Sequence, residues 1–152
     1  LEEDDARTDR LAFARELMQR PDDRLKLFVT ATALRARRAH EDLFLEGAYV
    51  PLETSGPRGT HLCSFARVHQ GSIAIVIVPR LVASLVGDRN AWSDTFVVVP
   101  DEIAEQIEER DAGLVDAFTR ETRRLTRREG AHVLAAAEIL RDFPLALLSM
   151  TA

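Results

Sequence analysis

The spacing of apolar residues changes once along the chain, close to Gly47. Before that point, apolar positions recur with helical period. In the segment 8–19 they form one stripe, made by Leu11, Ala14, Leu17 and Met18. The segment 22–40 is apolar almost all round in its first half, which is typical of a helix that is covered on more than one side. The pattern therefore predicts two helices, which Pro21 separates.

After Gly47 the chain is typical of short strands separated by turns. The runs HLCSFARVH and SIAIVIVP flank the turn His69-Gln70-Gly71-Ser72 and predict a β-hairpin. The second run is apolar on both faces, so we expect a central strand that is covered on two sides. Further strands are predicted in AYVPLETS, DTFVVVP and LALLSM, a strand with its turn in GLVDAFTRE, and a strand joined to a short helical turn in HVLAAAEILRDFP.

Residues 101–112 return to helical spacing, with Ile103 and Ile107 as a thin apolar line within an acidic surface. Together the elements predict an α+β fold, namely an antiparallel β-sandwich preceded by two α-helices, with a helical insert near 101–128. We accordingly divide the chain into a helical lead-in, 1–46, and a sandwich domain, 47–152, that carries a charged insert at 101–131.

Composition and charge narrow the classes of function. The 20 basic and 25 acidic residues give a net charge of −5, which argues against general binding to nucleic acids or anionic membranes. No apolar run is long enough to span a bilayer. The single cysteine, Cys63, cannot form an intrachain disulfide, which favours a reducing, cytoplasmic location. Because Cys63 lies in an alternating apolar run, we expect a buried, inert thiol.

Side chains capable of catalysis are present, but their spacing matches no known type of active site. Asp94, Asp116 and Asp142 lie beside predicted strands, where carboxylates most often cap turns. The four histidines fit no spacing of metal ligands; they are His40, His61, His69 and His132. The sequence contains neither a glycine-rich phosphate motif nor a nucleophile elbow. We therefore predict no catalytic residue, no metal site and no cofactor site.

Two features remain as candidates for binding. Five arginines follow one another at i, i+3, i+4, i+7 and i+8 and would form one basic stripe on a helix, able to hold an anion or an acidic partner; they are Arg120, Arg123, Arg124, Arg127 and Arg128. Trp92 could stack on a sugar ring, although a lone tryptophan more often anchors a core or a loop.

A series of short motifs resembles, in the same order, the C-terminal part of maltooligosyltrehalose synthases, which are enzymes of the α-amylase clan. The motifs are Lys26-Leu27-Phe28, Leu34 to Arg38, Phe44, Gly47-Ala48-Tyr49-Val50-Pro51-Leu52, Phe65-Ala66-Arg67, Val78-Pro79-Arg80-Leu81, Trp92-x-Asp94-Thr95 and Asp142-Phe143-Pro144. The resemblance extends over residues 10–149 and is weakest at 101–131. There Leu114 and Arg120 stand where the family has a tryptophan and a glycine.

The resemblance implies a non-catalytic, amylase-type C-terminal sandwich beside a catalytic (β/α)8 barrel. Such enzymes are isomerases of trehalose biosynthesis, and they convert the reducing-end α-1,4 bond of a maltooligosaccharide into an α,α-1,1 bond with carboxylates that the barrel supplies. The implied partners of this chain are the barrel and the maltooligosaccharide, with Trp92 and Lys26 as contacts to the glucan or the barrel. The apolar helix 22–40 further predicts an exposed patch near Leu25 and Phe28, or a homodimer that covers it.

A second hypothesis belongs to a different class. The charged segment 101–131 could make the chain a stand-alone interaction or oligomerisation module. The arginine stripe would then bind an acidic partner or a second copy.

Overall fold

Three helices open the chain. The computed structural model describes residues 2–85, 87–88, 90–111 and 113–150, with side chains from Asp9 onward. The helices are α1 (Glu2–Gln19), α2 (Asp23–Ala39) and α3 (Glu41–Leu45). Asp22 caps α2, because its side chain accepts a hydrogen bond from the backbone N–H of Arg24. Both predicted helices are confirmed, and a third, of only five residues, follows them.

Ten strands and two further α-helices follow in the described part of the chain, together with short 3-10 turns at Gly59–His61 and Val82–Leu85. The strands are β1 (Ala48–Pro51), β2 (Thr54–Ser55), β3 (Leu62–His69), β4 (Ser72–Pro79), β5 (Phe96–Val99), β6 (Leu114–Asp116), β7 (Thr122–Arg123), β8 (Thr126–Arg128), β9 (Ala131–Ala135) and β10 (Ala146–Met150). The helices are α4 (Asp101–Glu108) and α5 (Ala136–Ile139). One sheet has the order β1-β3-β4-β10-β6-β7 and the other β2-β5-β9-β8. Every strand pair is antiparallel, which confirms the predicted α+β fold.

The predicted hairpin is formed by β3 and β4. Their register pairs His69 with Ser72, so that Gln70 and Gly71 form a two-residue turn. Both turn residues have positive φ, 46° and 80°, which is the geometry that matches the twist of the flanking strands. The glycine at the second position adopts this conformation without steric cost.

Strand β4 is central and covered on both faces, as its apolar run predicts. On one face Ile73, Ile75 and Ile77 are fully buried in the main core between the two sheets. On the other face Ala74 and Val76 belong to a second core beneath the helices. The protein thus has three layers, with the larger sheet between the smaller sheet and the helices.

Aromatic rings dominate the second core. The Phe28 ring of α2 lies 5.5 Å from the Phe143 ring and 6.1 Å from the Phe118 ring. The Phe118 and Phe143 rings stack on each other at 5.1 Å. Phe13 of α1 contacts Phe28 edge-on at 5.4 Å. These contacts fix α1 and α2 on the outer face of the larger sheet.

Among its described residues, the segment 101–131 is helical only at α4, and it also contributes strands to both sheets. Arg120 has a φ of 63°, which a right-handed helix excludes. Glu129 and Gly130, with φ values of 50° and 85°, form the tight turn between β8 and β9. None of the helices in the described part of the chain is long and apolar enough to cross a membrane.

Candidate functional site

The three carboxylates that the sequence placed beside strands lie in three different surroundings. Asp94 is exposed in a turn with a φ of 53°, and its carboxylate is 3.7 Å from Arg128. Asp116 is fully buried at the end of β6. Asp142 lies in the turn before β10, with only 8% of its side chain exposed.

Asp116 has a structural role in its own turn. Its carboxylate accepts hydrogen bonds from the backbone N–H of Phe118, at 3.0 Å, and from the hydroxyl of Thr119, at 2.9 Å. Burial raises the pKa of Asp116, and these hydrogen bonds oppose that shift. A raised pKa suits a general acid. Asp116, however, lines neither the cleft that contains Trp92 nor the cleft that contains Arg10. The residue therefore stabilises the turn between β6 and β7.

Trp92 lines a cleft of about 770 Å³, which we call the tryptophan cleft. Its walls come from α1, the end of β4, the loop after it and the turn before β10, and most of its lining is apolar. Trp92 itself is half-buried and also packs against the main core. The volume of the cleft is typical of sites that bind small ligands, and it is compatible with a sugar stacked on Trp92. The role of Trp92 as a glucan or domain contact stays a prediction. Lys26 is exposed on α2 and does not line this cleft.

Two carboxylates line the tryptophan cleft, and both are paired with arginine. Asp88 lies 3.9 Å from Arg58. Asp142 accepts hydrogen bonds from Arg15 at 3.0 Å and Arg141 at 3.3 Å. Burial acts to raise the pKa of Asp142, but the two guanidinium groups outweigh it and lower the pKa below its ordinary value. A carboxylate held in the ionised form is poorly suited to donate a proton to a glycosidic oxygen.

The five arginines do not form one stripe, because the residues from 120 to 128 are turns and strands rather than a helix. Arg123 is buried on β7, whereas Arg124 is exposed and donates a hydrogen bond to Asp111 at 2.6 Å. Arg128 lies over the Phe96 ring at 4.3 Å from its centroid. Arg120 and Arg127 are exposed at separate places. The sequence spacing that suggested one basic face therefore corresponds to several separate environments.

Arg123 is a buried cation with few partners. Its Nη1 lies 3.9 Å from the Glu138 carboxylate, while Nε and Nη2 have no hydrogen-bond partner among the described residues. Glu138 is itself half-exposed. Arg123 also acts to lower the pKa of Asp116. It therefore contributes a charge to the β6–β7 end of the sandwich and does not present that charge to an external anion.

The histidines and the cysteine form no common site in the described part of the chain. Among the described residues, no three His, Cys, Asp or Glu side chains come together where they could hold a metal ion. His132 is buried, and its Nδ1 lies 2.9 Å from the Asp101 carboxylate, which ties β9 to α4. The prediction that Cys63 is buried is wrong, because β3 directs Leu62 and Ser64 into the core and Cys63 outwards.

An apolar surface remains uncovered on α2. Leu27 is 70% exposed and Leu34 is 59% exposed. They are seven residues apart, so they lie on the same side of the helix. The predicted patch near Leu25 and Phe28 is thus displaced, because Phe28 turns into the aromatic core. We call Leu27 and Leu34 the α2 face.

Sequence comparison connects the chain to a known enzyme over half its length. No protein-family model matches the chain. Two sequences from Mycobacterium tuberculosis, of strains CDC 1551 and H37Rv, are each 38% identical to it over 76 residues, and both are provisionally named maltooligosyl trehalose synthase. The match covers 50% of this chain and 9% of each relative.

Structural comparison extends the similarity to most of the chain. The structure of a point mutant of maltooligosyltrehalose synthase from Arthrobacter ramosus aligns with 84% of the chain at a TM-score of 0.57 and 32% identity. The chain covers only 14% of that enzyme. Sequence and fold thus confirm the resemblance that the ordered motifs predict: the chain is similar to one part of maltooligosyltrehalose synthase.

Proposed function

We propose that the chain serves as a non-catalytic, C-terminal supporting part of an enzyme like maltooligosyltrehalose synthase. The observation that carries the proposal is the structural match, in which 84% of this chain corresponds to 14% of the enzyme. The catalytic carboxylates would then belong to a (β/α)8 barrel elsewhere in the enzyme. The reaction supported would be the conversion of a reducing-end α-1,4 bond of a maltooligosaccharide into an α,α-1,1 bond, within trehalose biosynthesis.

The state of the carboxylates supports a non-catalytic role. Glycoside chemistry by the usual route needs one carboxyl group that holds a proton and a second that is ionised across a cleft. In the tryptophan cleft, Asp88 and Asp142 are both paired with arginine. Asp116, whose pKa is raised, is used by its own turn. The raised pKa and the lowered pKa thus belong to carboxyl groups in different places, Asp116 in its own turn and Asp142 in the tryptophan cleft.

The α2 face is the surface that we assign to the catalytic domain. A single exposed leucine is ordinary, but Leu27 and Leu34 form an apolar line on a helix whose opposite side is already packed. The relatives are several times longer than this chain. The remainder of such an enzyme supplies an occupant of suitable size for this face.

Replacement of the matched part of the Arthrobacter ramosus enzyme by this chain tests the proposal. The chimera should convert maltohexaose into a product with no reducing end, whereas the enzyme without the matched part should lose stability and activity. Leu27→Ser together with Leu34→Ser should lower the inactivation temperature of the chimera. A matched control pair, Leu45→Ser with Leu81→Ser, changes exposed apolar residues that lie outside α2 and outside the tryptophan cleft and should leave that temperature unchanged.

Two results would contradict the proposal. Turnover of maltohexaose by this chain alone would show that it is catalytic. If the Leu45 and Leu81 pair lowered the inactivation temperature of the chimera while the α2 pair did not, the docking surface would be assigned wrongly.

A further inference from the structure

A basic cleft of about 550 Å³ lies where α1 and α2 meet the β6–β10 side of the larger sheet. Arg10 of α1, Arg35 of α2 and Arg120 of the turn after β6 line it together. His40 also lines it, and none of its described lining side chains is acidic. Three arginines thus meet in one cleft of a chain whose net charge is −5.

Two contacts hold the guanidinium of Arg10 in place, and one of its N–H donors has no partner among the described residues. Its guanidinium carbon lies 4.6 Å above the centre of the Phe28 ring, and its Nη2 donates a hydrogen bond to the Thr32 hydroxyl at 2.8 Å. Its Nε is buried and has no hydrogen-bond partner among the described residues. The stacking and the hydrogen bond to Thr32 thus fix the guanidinium at the wall of the cleft before a ligand binds.

The positive charges of Arg35 and Arg120 act on Arg10. Burial is the largest cause of a pKa of Arg10 below its ordinary value, and the charges of Arg120 and Arg35 lower it further. Like charges are brought together here by three separate elements of the fold. An anion between them would reverse this repulsion.

We propose that the basic cleft is a binding site for a phosphate group, either as free phosphate or as a small phosphate monoester. A phosphate carries between one and two negative charges at neutral pH and accepts hydrogen bonds on several oxygens. Planar guanidinium groups are well suited to such an acceptor. Small apolar side chains, among them Ala36, Ala39 and Val115, line another part of the cleft and leave room for an organic group.

Titration of the ¹⁵N-labelled chain with inorganic phosphate, at ionic strength fixed with sodium chloride, tests the site. We expect saturable shifts of the Arg10 Nε–H signal and of the backbone signals at 35 and 120. Arg35→Gln and Arg120→Gln change exposed residues, so the variants should fold, and each should weaken binding about tenfold. Arg127→Gln, an exposed arginine outside the cleft, should change affinity less than about twofold.

A second arm identifies the form of the phosphate. Glucose 6-phosphate is compared with inorganic phosphate, and glucose serves as the uncharged control. If glucose 6-phosphate binds more tightly than inorganic phosphate, the apolar part of the cleft contacts the organic group of a phosphate monoester. If inorganic phosphate binds more tightly, the ligand of the site is the free ion. The proposal would be overturned by signal shifts that do not saturate with phosphate. It would also be overturned if Arg127→Gln weakened phosphate binding as much as Arg35→Gln and Arg120→Gln do, or if acetate bound as tightly as phosphate. The last result would assign the cleft to a protein carboxylate.

Discussion

Asp116 and Asp142 show how surroundings determine the behaviour of one residue type. Asp116 is enclosed by the sandwich, and burial raises its pKa. Asp142 is also shielded, but guanidinium groups from α1 and from its own neighbour lower its pKa. Both lie beside strands in the sequence, and nothing in their spacing distinguishes them. The difference comes from Arg15, which is 127 residues away from Asp142.

Asp142→Asn should lower the free energy of unfolding at pH 7 by about 1–2 kcal/mol, because two charge-assisted hydrogen bonds are lost. The native pKa of Asp142 lies below the ordinary value of 3.8. The unfolded state therefore binds the proton first, and the contribution disappears as the pH falls through the native pKa. Urea denaturation at several pH values would measure this. Asp94 is exposed, so the control Asp94→Asn should change the free energy of unfolding little. If the free energy lost in Asp142→Asn did not depend on pH, the role given to the ionised Asp142 would be contradicted.

At the scale of elements, helical period correctly located α1, α2 and α4, and alternation located the hairpin. The helical spacing of apolar residues alone did not show which side of a helix is buried. Leu27 and Phe28 are neighbours in one apolar run, yet Leu27 is 70% exposed and Phe28 only 8%. The aromatic cluster on the larger sheet decides between them, since Phe118 and Phe143 offer contacts to only one side of α2.

Phe28→Ala should therefore destabilise the protein by about 3–4 kcal/mol, through the loss of buried area and of ring contacts. Leu27→Ala is the adjacent control and should change the free energy of unfolding by less than about 0.5 kcal/mol. Urea denaturation followed by circular dichroism measures both values. If Phe28→Ala and Leu27→Ala lowered the free energy of unfolding equally, α2 would be rotated about its axis from the position described.

At the scale of the whole molecule, the three-layer arrangement leaves the α2 face without a cover. Two leucines that are more than half exposed on one helix favour contact with another apolar surface. In a longer enzyme that surface would be the catalytic domain. In the isolated chain it would be the same face of a second copy.

We therefore expect the isolated chain to self-associate weakly as its concentration rises. Leu27→Ser combined with Leu34→Ser should remove this association while leaving the thermal midpoint nearly unchanged, because both side chains are exposed. Sedimentation or size-exclusion experiments across a range of concentrations would measure it. A dimer that persists in the double variant would place the contact elsewhere.

The sequence by itself determined helices α1, α2 and α4, the β3–β4 hairpin, the central position of β4 and the resemblance to maltooligosyltrehalose synthase, because these depend on local period and on collinear motifs. It did not determine the exposure of Cys63, the separation of the arginines from 120 to 128, or the meeting of Arg10, Arg35 and Arg120 in one cleft. These depend on strand direction, on residues with positive φ and on elements far apart in the chain. Only the tertiary structure fixes them, since contacts between distant segments leave no local period in the sequence.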